Sequence, residues 1–547
     1  MEASSLPYHE PSIVQVLTLS SFGLLLNLTN WALERTIYCG LVGQILIGVF
    51  WGTPLGDWLD SSIEAAVVQL GYLGLILLVY EGGLSTSLAP LLHNLPLSTA
   101  VAATGILLPI ALSFPLTALL PGTTPLQCFA AGAALSATSL GTTFSILTSS
   151  GLARTRLGTV LTSAAMMDDV VGLIMIQVVA ALGTSTSSDS GGSSISGATI
   201  GRPVGASLGL LLFVILACRW LVAPLHRHRH RSLRPGPTPT PTPANPPAEA
   251  ARPALSAANR AFTIHTALLL TLVTTASYAG TSVLLAAFLA GAAITWSDNL
   301  SPTTTTTTTT AWTGARIYEH YYAPITTRLL TPFFFASIGF SIPITQLFAG
   351  STVWRGIVYA ALMALGKLLT GVWLLRFRVP GVAVAGRIRA LRKFGPAACT
   401  TPATTTTTAT PATTSSTTTA TTTNSTPPTN TTPAPAQKPK SLYPPSILGL
   451  AMIARGEIGF LIASVAEARG IFSPAPGGAE GSSELYLVVI WATVVCTVLG
   501  PVCVGLLVRR VKALERERVV KGGTSGGVGV LGSWGVDIDV PAEGWRG

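Results

Sequence analysis

The chain has 547 residues, of which only 10% are Asp, Glu, Lys or Arg, against roughly 25% in an ordinary soluble domain. Hydrophobic residues make up 49%, the mean hydropathy is +0.56, and the apolarity is gathered into long runs separated by polar, Thr-rich stretches. This excludes a water-soluble multidomain enzyme, a nucleic-acid binder and a disulfide-built secreted protein, and the net charge of +10 is read as membrane orientation because the basic residues lie between the apolar runs.

In chain order, apolar runs long enough to cross the hydrocarbon as helices fall near 12–29, 37–55, 63–80, 97–120, 126–149, 157–182, 204–224, 261–278, 281–297, 326–348, 352–375, 445–467 and 485–508. That makes about thirteen spans at roughly 20 residues each, and the runs are too long for the strands of a barrel. The short run at 281–297 and the turn at Ala279-Gly280 before it are the least secure; merging them with the preceding span would invert everything downstream. Glu2 and Glu10 precede the first run, so a cleaved signal peptide is not expected. With the N-terminus outside, the inner segments collect Arg35, Arg154, Arg156, the run 226–231, Arg260, Arg316, Arg328, the cluster from Arg376 to Lys393, and Arg509, Arg510 and Lys512. The outer segments hold Arg202, Arg355 and Arg469. This is the asymmetry of the positive-inside rule. The cysteines at 39, 128, 218, 399, 496 and 503 form no CxxC pair and read as small core residues.

The segments 184–200, 235–253, 303–310 and 396–437 are Ser/Gly-, Pro- or Thr-rich and too poor in aromatic and aliphatic residues to bury a core, so they read as loops. Asn424 and Asn430 head formal glycosylation sequons that this topology leaves in the cytoplasm. A short basic stretch, 509–522, and a Gly-rich remainder follow the last span, and no nucleotide-binding domain is read there.

Ionisable groups inside apolar spans carry the functional information, because each costs at least ~2.5–3.5 kcal/mol at the bilayer centre. Asp168 and Asp169 lie midway along 157–182, Lys367 in the inner half of 352–375, Arg455 and Glu457 in the middle of 445–467, and Glu81 at the end of the third span. Adjacent aspartates on a helix point about 100° apart, which implies a division of labour. One carboxylate pairs with a fixed cation, for which Lys367 is the natural candidate, and the other faces a water-filled cavity. Arg455 and Glu457 can neutralise each other or join the same network. A carboxylate without a fixed partner is neutralised by a proton or by a small cation such as Na+, and that competition is the minimal chemistry of an antiporter.

Broken helices are the second signal. The stretch 136–143 is small, hydroxylated and contains Gly141, and Gly456 and Gly459 flank the charges of 445–467. Unwound helices at the midplane supply backbone groups and dipole ends to ions. The blocks 97–182 and 352–508 read as units of inverted orientation, as in secondary transporters.

These residues together resemble the monovalent cation:proton antiporter superfamily, in particular its branch containing NapA and the Kef-type K+ efflux systems. LVYEGGL (78–84), LLAAFLAGA (284–292), FFFASIGFSI (333–342), MMDDVVGL (166–173), GKLLTG (366–371) and RGEIGF (455–460) resemble that family's motifs in the family's order, over roughly 37–508 less the loops. The resemblance implies an all-α inverted-repeat fold with two crossing discontinuous helices. It implies Asp169 as the principal ion- and proton-carrying carboxylate, Asp168 as the partner of Lys367, Thr138 and Ser139 near the ion, and Arg455 and Glu457 stabilising the second crossover; Glu81 is counted among the charge partners. It further implies a homodimer in which a core bundle (97–182 and 352–508) slides against a dimerisation bundle (12–80 and 261–348). The expected activity is exchange of Na+ or K+ for H+ by a transporter, not an enzyme, with no cofactor and no nucleic-acid partner. The chain departs from the Kef pattern in lacking a C-terminal nucleotide-binding domain, and its Thr-rich insertions suggest a eukaryotic plasma membrane or endomembrane. A cation channel or non-transporting sensor on the same scaffold is the alternative. An intramembrane aspartyl protease needs its carboxylates on two helices and a GxGD segment, and a sodium-coupled organic-anion symporter leaves Lys367 unexplained.

Overall fold

The computed structural model describes residues 10, 12–37, 39–86, 95–139, 151–152, 155–188, 197–222, 224, 251–300, 312–375, 442–472, 483–520, 530–531 and 534–535. Residues 235–250 of the predicted loop 235–253, the predicted loops at 303–310 and 396–437, the sequons at Asn424 and Asn430, and the inner part of the predicted span 126–149 lie outside the described residues.

Helices appear wherever the hydropathy pattern predicts a span. They are α1 (Ile13–Ile37), α2 (Gly40–Trp51), α3 (Ser61–Leu84), α4 (Leu95–Ser113), α5 (Pro125–Ser136), α6 (Arg156–Ser188), α7 (Gly197–Ala217), α8 (Ala251–Tyr278) and α9 (Val283–Asn299). After them come α10 (Thr331–Phe340), α11 (Gly350–Leu368), α12 (Tyr443–Ala451), α13 (Glu457–Ala468) and α14 (Glu484–Val520). Eight helices of the described residues are long and apolar enough to cross a membrane, and α2 and α9 are shorter apolar helices. The turn before α9 is real: Gly280 has φ +68°, a left-handed value glycine adopts without strain, and Ser282 caps α9 through Leu285 N. The two neighbouring spans therefore do not merge.

Several boundaries differ from expectation. The predicted loops 184–200 and 235–253 are helical at their described ends, where α6 runs to Ser188, α7 begins at Gly197 and α8 at Ala251. α10 is preceded by short α and π turns from Gly314 onward, including Tyr318–Tyr322 and Thr326–Leu330, so that element begins well before 326. α14 runs on past 508 to Val520, because the stretch after Arg509 is charged yet rich in good helix formers. As the broken-helix reading expects, the spans 126–149 and 445–467 are interrupted. α5 ends at Ser136 and the chain continues extended from Ala137, and residues 452–456 separate α12 from α13.

Packing sorts the helices into two groups. In one, α1 packs on α2, α2 and α3 on α10, and α3 and α8 on α9. In the other, α4 packs on α5, α6 and α11, α13 on α5 and α6, and α14 on α11 and α12. α7 lies against both α6 and α9. The first group gains its closeness from glycine: a Cβ on Gly83 would sit 2.1 Å from Phe288 O, and one on Gly291 2.3 Å from Tyr80 O. Small residues at a membrane helix contact let the backbones touch, where dispersion rather than the hydrophobic effect supplies the attraction.

Candidate functional site

The two interrupted helices meet at their breaks. Ser139 N donates to Ala454 O across the crossing at 2.9 Å, so the non-helical residues of each satisfy a backbone group of the other, as buried amides require. Gly456 makes the approach possible: a Cβ there would lie 2.7 Å from the Ser139 side chain. Gly456→Val is therefore expected to force the crossing apart and lower stability by about 1–3 kcal/mol. Thermal unfolding of the detergent-solubilised protein measures this, and an unchanged melting temperature would contradict the tight crossing.

Beside the crossing stands the buried ion pair. Lys367 Nζ lies 2.7 Å from Asp168 Oδ2, with both side chains at 0% exposure. The same ammonium donates to Thr138 Oγ1 at 2.8 Å, and the Thr138 hydroxyl in turn donates to Asp168 Oδ2. Asp168, Lys367 and Thr138 thus form a closed triangle contributed by α6, α11 and the break after α5. The second Asp168 oxygen, Oδ1, has no hydrogen-bond partner among the described residues.

Asp169 stands apart from that triangle and is only partly buried. Its charged neighbours are Glu457, Asp168 and Lys367. Glu457 is also partly buried and occupies the first turn of α13, where the positive end of the helix dipole favours a carboxylate. On α6, Met166 lines a cavity of about 680 Å³ on the side read as cytoplasmic. Ile176 and Gln177 line another of about 340 Å³ on the opposite side. The α6 residues lining the first cavity are Met166, Met167, Val170 and Val171, so Asp169 lies within that stretch of the helix without itself lining the cavity.

Arg455 and Glu457 do not pair with each other. Arg455, wholly buried, donates through Nη1 to Ala137 O at 2.9 Å and Ser136 O at 3.3 Å. Those carbonyls close the end of α5, where the last acceptors of a helix have no intrahelical partner and the dipole favours a cation. The guanidinium also lies beside Cys496, a contact with no precedent in the sequence pattern. Glu81 is placed elsewhere: its electrostatic neighbours are Tyr318 and Glu319, in the other helix group. Ser139 packs on Gly456. Sequence reasoning missed the backbone partners of Arg455 and the Met452 carbonyl 3.5 Å from Thr138 Oγ1, since a carbonyl acceptor belongs to every residue type.

The sodium/hydrogen exchanger transmembrane family model matches residues 22–238 and 256–419. This chain belongs to the sodium/hydrogen exchanger family. The high-affinity Na+/H+ antiporter NhaS3 of Synechocystis sp. is 32% identical over 143 residues, which is 26% of this chain and 31% of that relative. The probable Na+/H+ antiporter GerT of Bacillus cereus is 34% identical over 26% of this chain and 38% of its own length. The Na+/H+-K+ antiporter GerN of the same organism is 30% identical over 28% and 40%. The exchanger chain thus spans well under half the length of these curated relatives. They are bacterial, so they lend nothing to a eukaryotic assignment of the Thr-rich insertions. The structure of the sodium proton antiporter MjNhaP1 from Methanocaldococcus jannaschii aligns with a TM-score of 0.51 at 15% identity, covering 91% of this chain and 99% of that one. That likeness shows a shared fold.

Proposed function

We propose that this exchanger-family chain is a secondary-active antiporter that trades a monovalent cation, Na+ or K+, for H+. One observation carries the reading. Three carboxyls, Asp168, Asp169 and Glu457, meet two fixed cations, Lys367 and Arg455, around a helix crossing. Asp168 is held by Lys367 and Arg455 donates to backbone carbonyls, so among the described residues Asp169 and Glu457 both lack a paired cation. Glu457 has the N-terminus of α13 to favour its charge; Asp169, in the interior of α6, has no such support. An uncompensated carboxylate at membrane depth is costly. It must take up either a metal cation or a proton, and one seat for both is the coupling an antiporter needs.

In this reading Thr138 and Ser139 lie at the edge of the ion seat, Glu457 adds field strength from the α13 N-terminus, and the smaller cavity, lined by Gln177, Ser277, Thr281 and Ser282 among others, is the remnant of an entry route. The group containing α4–α6 and α11–α14 is the moving core, the group containing α1–α3 and α8–α10 is its scaffold, and the scaffold pairs two copies into a homodimer. NhaS3, GerT and GerN, by their names, exchange Na+ for H+, and GerN also K+. That supports the same substrate class here, as do the motifs shared with the NapA/Kef branch.

The test is a cation-swap series in proteoliposomes with a trapped pH dye. Adding Na+ or K+ to vesicles holding an imposed proton gradient is expected to collapse it in a saturable manner. A conductive cation flux that leaves the dye signal untouched once the membrane potential is clamped would favour a channel instead.

A further inference from the structure

The cavity beside Met166 and Arg219 is not built for a cation. Its volume of about 680 Å³ falls within the ~300–1,000 Å³ of ordinary ligand sites, yet its walls are almost wholly apolar. Ile106, Val171, Val214, Phe288 and Leu289 are typical. Among the described residues Arg219 is the only charged one lining it, no acid does so, and Arg219 makes no ion pair. A water-filled ion route has polar walls, so an apolar chamber of this size calls for an apolar occupant.

The mouth says where that occupant comes from. Thr99 and Ala103 of α4, Ile215 of α7 and Arg219 just beyond it line the cavity and are exposed, so it opens sideways between α4 and α7. Large apolar side chains flank this opening on the outer surface: Leu107 is 66% exposed, Leu212 57% and Leu216 45%. Such a surface is that of a helix facing acyl chains. Arg219 lies in the π turn Cys218–Val222 that ends α7, next to Trp220, which is 77% exposed. Arginine beside an exposed tryptophan at a helix end is the signature of the headgroup level. The chamber therefore runs from the headgroup layer into the protein, with a cation at its entrance and hydrocarbon-like walls behind.

We propose that this cavity holds one acyl chain of an anionic phospholipid, whose phosphate is met by the Arg219 guanidinium. Arginine suits phosphate through paired N–H donors, and the match of one cation to one anionic head with an apolar chain behind it favours this occupant over a zwitterionic lipid. The seated chain touches Met166 and Val170, which flank the aspartates on α6, and also Ala292 on α9. It is a removable filler between the two helix groups. This goes beyond the exchange reading and does not depend on it.

The test reads binding rather than transport. The full chain is placed in phosphatidylcholine nanodiscs containing a small fraction of phosphatidylglycerol with a photoreactive diazirine on one acyl chain, illuminated and digested. Cross-links are expected on peptides carrying Met166–Val171 and Phe288–Ala293, and unlabelled phosphatidylglycerol should compete for them at least tenfold better than phosphatidylcholine. Ala292→Trp, which fills the chamber, should cut this labelling at least fivefold, and Arg219→Gln should erase the preference for the anionic lipid. Ile215→Trp at the lipid-facing mouth gives the same readout should Ala292→Trp not fold. Cross-links confined to the outer surface, labelling indifferent to the tryptophan, or equal competition by phosphatidylcholine or by a free fatty acid would each overturn the proposal.

Discussion

Asp169→Asn is expected to abolish cation-dependent proton movement in proteoliposomes while the protein still folds and melts near the wild-type temperature. The substitution keeps the shape and removes the charge that the surrounding residues leave uncompensated. A monovalent cation about 4 Å from a carboxylate at an effective dielectric constant near 20 gains ~4 kcal/mol, so its loss weakens cation binding by about a thousandfold. Folding survives because Asp169, partly exposed, is not in the Lys367 triangle. The same competition sets the pH dependence in the unaltered protein. Below the apparent titration point of the site, each unit of falling pH should raise the apparent KM for the cation about tenfold while leaving the maximal rate at saturating cation little changed. Retained exchange in the Asn variant, or a cation KM indifferent to pH across that range, would remove Asp169 from the role given to it here.

The second large effect falls on stability. Lys367→Met should destabilise the protein by about 3–5 kcal/mol, because it strands the Asp168 carboxylate at 0% exposure without its cation. Adding Asp168→Asn to that variant should recover most of the loss, since a buried pair replaced as a unit is often close to neutral. Thermal unfolding of the two single variants and the double variant in one detergent completes the cycle. Losses that simply add would mean that the two residues do not interact in the membrane. A non-additive result of the expected sign separates the structural share of Lys367 from whatever it contributes to exchange.

The architecture was legible because a bilayer imposes a length and polarity rule on every crossing segment, and the runs of this chain obey it. Even the break in 445–467 could be anticipated, from glycines beside charges at Arg455 and Glu457. Pairing Lys367 with one aspartate of the doublet was within reach because it is the only mid-membrane lysine; that the partner is Asp168 followed only from the family resemblance. The partner of Arg455 was out of reach. Its acceptors are the carbonyls of Ser136 and Ala137, which any residues would supply, so the Arg/Glu spacing suggested a mutual pair that the fold does not form. Glu81 was misleading for a related reason: position at the end of a span says how deep a group lies, not which helices surround it, and it faces Tyr318 and Glu319. The lateral chamber at Arg219 was hidden because it is made by the relation of α4, α6, α7 and α9, none of which shows it alone.

The separation of Asp168 and Lys367 along the chain, 199 residues, has a consequence for biogenesis. Ribosomes add about 5–20 residues per second, so the acid exists for roughly 10–40 s before its basic counterpart is synthesised. During that interval α6 either enters the lipid with the carboxyl protonated or waits beside the translocon, and the acid–base lock closes only after the second unit emerges.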